Sequence, residues 1–179
     1  RPGAWVMSIR LASIPESRDP LATADGPIQS VKSIYRDEVS STTSLDAQHH
    51  ATLRTWINHP GFYFTRGRML APVGSDIGDV PRRRVMDAAC RIVAETVWQT
   101  IGSNVRLLTD GSGFIDPRDA ATIDSRCETA VRAQIGSQIS GVAVRVSRTT
   151  DLSGDETPIP IEVGIVPLKI AAILNGKEN

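Results

Sequence analysis

Asp79-Val80-Pro81-Arg82-Arg83-Arg84-Val85-Met86-Asp87-Ala88-Ala89-Cys90-Arg91-Ile92-Val93-Ala94-Glu95-Thr96-Val97 is the stretch on which the reading of this chain turns. Val85, Ala89, Ile92, Val93, Val97 and then Ile101 recur at the 3.6-residue period of a helix with one apolar face. Asp79 and Pro81 stand where a helix start signal belongs, and Gly102 where a stop belongs. The spacing therefore predicts a helix over roughly Val80 to Ile101.

Downstream, Asn104 to Leu108 has the character of a short strand, and Asp110-Gly111-Ser112-Gly113 turns the chain. Asp116-Pro117 is an N-cap followed by proline in the first helical position. It opens a second helix to about Ile135, with Ala120, Ile123, Cys127, Ala130, Val131 and Gln134 toward the core. Val142, Val144 and Val146 then alternate with Ala143, Arg145 and Ser147, and Ile159, Ile161, Val163 and Ile165 alternate with Pro160, Glu162 and Gly164. This period of two marks strands, joined by a polar hairpin connection from Thr149 to Pro158. Leu168 to Leu174 reads as a third strand before the polar tail Asn175 to Asn179.

Upstream, Trp5-Val6-Met7 has the look of a short strand. Pro15 to Thr43, punctuated by Pro15, Pro20, Gly26 and Pro27, reads as a connector or an arm lying over another surface, with no core of its own. Ser44 caps a further predicted helix on which Leu45, His49, Leu53, Trp56 and Ile57 share a face, stopped by His59-Pro60-Gly61. Phe62-Tyr63-Phe64 begins a strand to about Leu70, with Tyr63, Thr65 and Gly67 opposite Phe62, Phe64 and Arg66. Strand pairs beside long helices give an α/β (α+β) class: a mixed, mainly antiparallel sheet covered by two or three helices.

Composition narrows the function classes. Among 179 residues, 20 basic and 20 acidic side chains cancel, so nothing draws the chain over long range to nucleic acid or anionic membrane. Cancellation also leaves little repulsion between copies, which suits a protein that packs against itself. Apolar residues make up 40% and aromatics only 4%, so the core is aliphatic. No apolar run approaches the roughly 20 residues of a membrane span, and no signal peptide is visible. Cys90 and Cys127 both fall in helical patterns and read as small core residues of a reducing compartment. The chain opens Arg1-Pro2-Gly3 rather than with Met and is read as a piece of something longer.

A search for chemistry returns turns and caps. His49 and His50 point about 100° apart on a helix, His59 follows at its end, and no cysteine sits at ligand spacing, so no metal or other cofactor is expected. Asp110, Asp116 and Asp119 miss the calcium-loop pattern, since Phe114 holds a ligand position and no closing glutamate follows. Gly111-Ser112-Gly113 lacks the lysine and spacing of phosphate loops and is not a nucleophile turn. No catalytic residue is assigned. Arg82-Arg83-Arg84 opposes the dipole at its helix start, a cost of a few tenths of a kcal/mol each. With Arg66, Arg68 and Arg91 nearby, the run is either a solvated helix end partly paired with Asp76, Asp79 or Asp87, or a charged surface for an acidic partner. Nucleic acid fits less well, for want of interleaved aromatics and net positive charge.

In series, these elements resemble the C-terminal, tube-proximal region of contractile phage tail sheath proteins. The resemblance rests on Pro60-Gly61-Phe62-Tyr63-Phe64-Thr65-Arg66-Gly67-Arg68, then Asp79 to Asp87 with its arginine run, then Asn104-Val105-Arg106 and Gly113-Phe114-Ile115-Asp116-Pro117-Arg118-Asp119. The strand at Val142, the strand at Ile161 to Val166 and Pro167 close the series. It covers about Pro60 to Leu174. It implies residues 1–43 as the end of a preceding domain plus linker or arm, and 44–179 as a sheath C-terminal domain with a terminal strand arm.

Sheath subunits polymerise as stacked rings on an inner tail tube and contract to drive that tube through the host envelope. The resemblance implies no enzyme activity and no cofactor, and no direct membrane insertion or nucleic-acid binding. It implies as partners other copies of the chain, the inner tube protein, and baseplate and tail terminator proteins. The location implied is the virion tail, assembled in the host cytoplasm. Arg82, Arg83, Arg84, Arg66 and Arg68 become candidate tube or neighbour contacts. Ile161, Val163, Ile165, Ile170, Ala172 and Leu174 become a candidate inter-subunit strand, because strand addition joins copies by backbone hydrogen bonds. The same segments serve equally to complete the chain's own sheet. Two other readings are another self-assembling tail or baseplate component, and a small hydrolase or nucleotide binder using Asp110 to Asp119.

Overall fold

The computed structural model describes residues 3–29, 31–35, 45, 48–72, 74–99, 104–154 and 158–168. Among them the elements run α1 (Gly3–Ala12), β1 (Leu53–Trp56), β2 (His59–Phe64), α2 (Val80–Trp98), α3 (Pro117–Ile135), β3 (Ile139–Val146) and β4 (Ile161–Pro167). The strands pair as two antiparallel two-stranded sheets, β1 with β2 and β3 with β4. The α+β class read from the sequence holds. The described residues divide into two compact units, one comprising those up to Arg84 together with Leu168, the other Val85–Pro167.

In the second unit, α2 contributes Val85, Ala88, Ala89, Ile92 and Val93 to a core completed by Cys127, Val131 and Ile135 of α3 and by Ile139, Val142 and Val144 of β3. The apolar stripe of the opening stretch is thus buried as its period requires. Ile101 and Gly102 lie outside the described residues. α3 begins where Asp116 and Pro117 place it, the Asp116 carboxylate accepting the Arg118 N–H at 2.8 Å. Gln134, expected in the core, is exposed, and Ile135 takes the inward position. Cys127 is buried but Cys90 is exposed, so only one cysteine is a core residue. The expected strand at Asn104 to Leu108 reduces to one bridge, Leu107 to Ile115, flanked by Leu108 N–H to Phe114 O and Asp116 N–H to Arg106 O. Gly111 and Gly113 take φ 81° and 71°, conformations that favour glycine, and turn the chain between them. β3 alternates from Val142 onward, with Val142, Val144 and Val146 buried, and Ile139 is buried ahead of an irregularity in the ladder. β4 begins at Ile161, two residues later than the expected Ile159.

In the first unit the sequence reading needs correction. Trp5-Val6-Met7 lies in α1, not in a strand. The helix expected from Ser44 is, in its described part, the hairpin β1–β2, and His59-Pro60-Gly61 opens β2 rather than stopping a helix. Ile57 and Asn58 form the turn. Asn58 takes φ 63°, a left-handed conformation asparagine tolerates better than most residues. The predicted strand to Leu70 ends at Phe64; beyond it only Arg68 bridges, to Asp79.

The connector does have a core. Ile28 packs with Val6 and Phe64, and its N–H donates to Phe62 O at 2.9 Å. Pro27 lies so close to Gly61 that a Cβ there would approach Pro27 Cβ to 2.5 Å. Two arginines hold the segment by collecting carbonyls. Buried Arg10 donates to Pro20, Ala22 and Asp25 O, and Arg84 to Leu11, Ile14 and Pro15 O. Asp19 fastens the other side, accepting the Leu21 N–H at 2.9 Å and the Gly67 N–H at 3.3 Å.

Candidate functional site

The β3–β4 hairpin offers two sheet edges with opposite chemistry. Its register pairs Val142 with Ile165, Val144 with Val163 and Val146 with Ile161. The Val144 N–H donates to Glu128 Oε1 at 3.1 Å and the Val146 N–H to Asp124 Oδ1 at 2.7 Å, both away from β4. These residues therefore sit in the non-hydrogen-bonded pairs of the antiparallel ladder, whose members direct N–H and C=O outward on both strands. By the same geometry Ile161, Val163 and Ile165 point their backbone groups away from β3. Among the described residues no strand pairs with that side of β4. Their side chains are half-buried against the core, while Glu162, Gly164 and Val166 face outward. The edge is a ready template for another extended segment. Of the candidate strand residues, Ile161, Val163 and Ile165 lie in β4, within the chain's own sheet. Ile170, Ala172 and Leu174 lie outside the described residues.

The candidate arginines do not form one surface. Arg66 pairs with the Asp79 carboxylate at 3.1 Å. Arg84, as described, holds the carbonyls at and beyond the end of α1, so its side chain builds the first unit. Arg68 is half-buried beside the bridge to Asp79. Arg82 is half-buried and Arg83 exposed, and the Arg83 N–H donates to Asp79 O in the first turn of α2.

The acidic turn residues all have local partners. The Ser112 hydroxyl, together with the Ser112 N–H that Asp110 accepts at 2.9 Å, holds the Asp110 carboxyl below the usual range. Asp119 binds the Arg106 guanidinium at 2.8 Å and the Arg106 N–H at 2.8 Å, which lowers its pKa. Asp116 caps α3. Asp151, across the turn from Gly113, is lowered by the Ser153 hydroxyl and by the Ser153 N–H, which it accepts at 2.9 Å. Capping and turn closure account for these carboxylates. Among the described residues no three His, Cys, Asp or Glu side chains converge as a metal set, and no helix is long and apolar enough to cross a membrane.

No family model and no curated protein matches the sequence. Chains of solved structures match its fold, among them two from one kind of assembly. A chain in the cryo-EM structure of the anti-feeding prophage baseplate, six-fold symmetrised, superposes with TM-score 0.65 at 13% identity, over 98% of this chain and 49% of that one. A chain of the anti-feeding prophage helical sheath in the contracted state superposes with TM-score 0.53 at 18% identity, over 86% of this chain and 44% of that one. The chain is therefore sheath-like in fold, and it spans about half the length of the chains it matches.

Proposed function

We propose that this chain is a structural, non-catalytic part of a contractile tail sheath subunit. Its copies polymerise around an inner tail tube and contract to drive the tube through a host envelope. Baseplate and tail terminator proteins would bound the polymer, in a tail assembled in the host cytoplasm. The observation that carries this reading is the outer edge of β4, where Ile161, Val163 and Ile165 present backbone groups for strand addition on a sheath-like fold. Such bonds are indifferent to the angle between the bulky bodies they join, so copies could stay linked while those bodies move. Tube contact through Arg82 and Arg83 belongs to the same reading, with weak, screened contacts of about 0.2–1 kcal/mol each.

Val163→Pro tests it. The substitution removes an N–H that points away from β3, a position where proline is compatible with an edge strand. In the full-length protein it should abolish polymers seen by electron microscopy while circular dichroism stays native. Polymers of unchanged length and number would overturn the reading, and Arg83→Glu belongs in the same assay. A second reading, a baseplate component, is favoured by the higher TM-score of the baseplate match. It predicts discrete rings of fixed size where a sheath gives long hollow tubes.

A further inference from the structure

The outer edge of β3 is occupied from within the chain. Asp124, Glu128 and Arg132 stand one helical turn apart on α3 and meet alternate residues of β3 running the opposite way. Asp124 Oδ1 accepts from Val146 N–H at 2.7 Å, Glu128 Oε1 accepts from Val144 N–H at 3.1 Å, and Arg132 Nη2 donates to Val142 O at 3.2 Å. The repeats nearly match: four helical residues advance about 6 Å and two strand residues about 6.7 Å. Acceptors therefore face the strand's donors and a donor faces its carbonyl, as a paired strand would supply them. Arg148 Nη2 holds the second Asp124 oxygen at 3.3 Å and so steadies the row. β4 has no such row among the described residues.

We infer that Asp124, Glu128 and Arg132 are a specificity device, a surrogate strand that seals β3 and confines strand addition from another copy of this chain to β4. The inference rests on the strand-addition reading above and adds direction to it. The β3–β4 sheet of each copy then offers one acceptor edge and cannot be extended from both sides. An unsealed β3 would expose the N–H groups of Val144 and Val146 and invite irregular pairing.

The test uses the full-length protein with Asp124→Ala/Glu128→Ala, and with Asp124→Asn/Glu128→Gln, which keeps an acceptor oxygen at each place. Amide hydrogen exchange at Val144 and Val146 should quicken about tenfold in the alanine pair and little in the amide pair. In sedimentation the alanine pair should give larger, heterogeneous species. Adding Val163→Pro should not suppress them, because growth then proceeds through β3. Faster exchange with assembly like wild type overturns the seal and leaves addition at β4 standing, as does unchanged exchange. Normal assembly of Val163→Pro alone overturns addition at β4 and the one-edge scheme with it. If the alanine pair is unfolded by circular dichroism, Glu128→Ala alone, freeing only Val144, is read by the same criteria.

Discussion

The β1–β2 hairpin turns in two residues, and Tyr63 and Phe64 at the end of β2 and Thr65 just beyond it are all buried. The β3–β4 hairpin turns through a long connection, and on β3 only Val142, Val144 and Val146 and the first residue, Ile139, are buried. One hairpin is thus fixed by its own turn and by a connector lying along it, through Pro27 at Gly61 and Ile28 at Phe62. The other is fixed by helices on one face and by a side-chain row at one edge. The connector meets β2 at Phe62 O, whereas among the described residues no strand pairs with the outer edge of β4.

The largest break in this comparison should come from Phe64→Ala. It removes a 3%-exposed ring from the small cluster with Val6 and Ile28 and should cost about 3–5 kcal/mol in urea unfolding. Val144→Ala, in the larger aliphatic core, should cost about 2 kcal/mol. A larger loss at Val144 than at Phe64 would reverse the assignment of where each hairpin draws its stability. Next in size, Asn58→Val forces a β-branched residue to φ 63° and should cost about 1–2 kcal/mol, while Asn58→Gly should change stability by a few tenths. Equal effects would show that the turn does not set the β1–β2 register.

Two carboxyls sharpen the contrast by titrating in opposite directions. Burial pushes Asp19 above its ordinary 3.8, against the pull of two backbone N–H bonds. The carboxylate of Asp79 raises it further and Arg66 lowers it. Its contribution to stability is therefore fully present below the ordinary aspartate value and fades as pH rises through the folded value. Asp119, held low by its hydrogen bond to Arg106, contributes above the ordinary value and loses that contribution as pH falls through its folded value. Carbon-detected carboxyl titrations should place the Asp19 midpoint above that of Asp119. Coincident midpoints would show that Asp19 is not desolvated.

What could be read from the sequence tracks how one-sided the burial is. α2, α3 and β3 each bury one face, so Val85 to Val97, Ala120 to Val131 and Val142 to Val146 carry the period of their element. α1 hides its nature because Trp5 and Ile9 are exposed while Arg10 is buried. Leu53, Trp56 and Ile57 happen to fall at helical spacing, and the informative residue was Asn58 in the turn between Trp56 and His59. The arginine run was visible as composition only. The partners of Arg84 lie 69 to 73 residues away, so nothing local revealed that it binds carbonyls. Asp124, Glu128 and Arg132 are plain in the sequence at i, i+4 and i+8, a spacing equally typical of a solvated helix face. What distinguishes them is the register of a strand that folds beneath them.

That row of three has a built-in limit. Helix and strand advance by about 6 and about 6.7 Å per step, so they behave as a vernier whose marks drift apart by about 0.7 Å at every rung. The distances run 2.7, 3.1 and 3.2 Å from Asp124 to Arg132, and the longest side chain stands at the far end. A fourth rung would fall near Ile139 and Gly141, where the ladder is already irregular. A helix can therefore stand in for a neighbouring strand over about three contacts, so a longer hairpin would outgrow its guard.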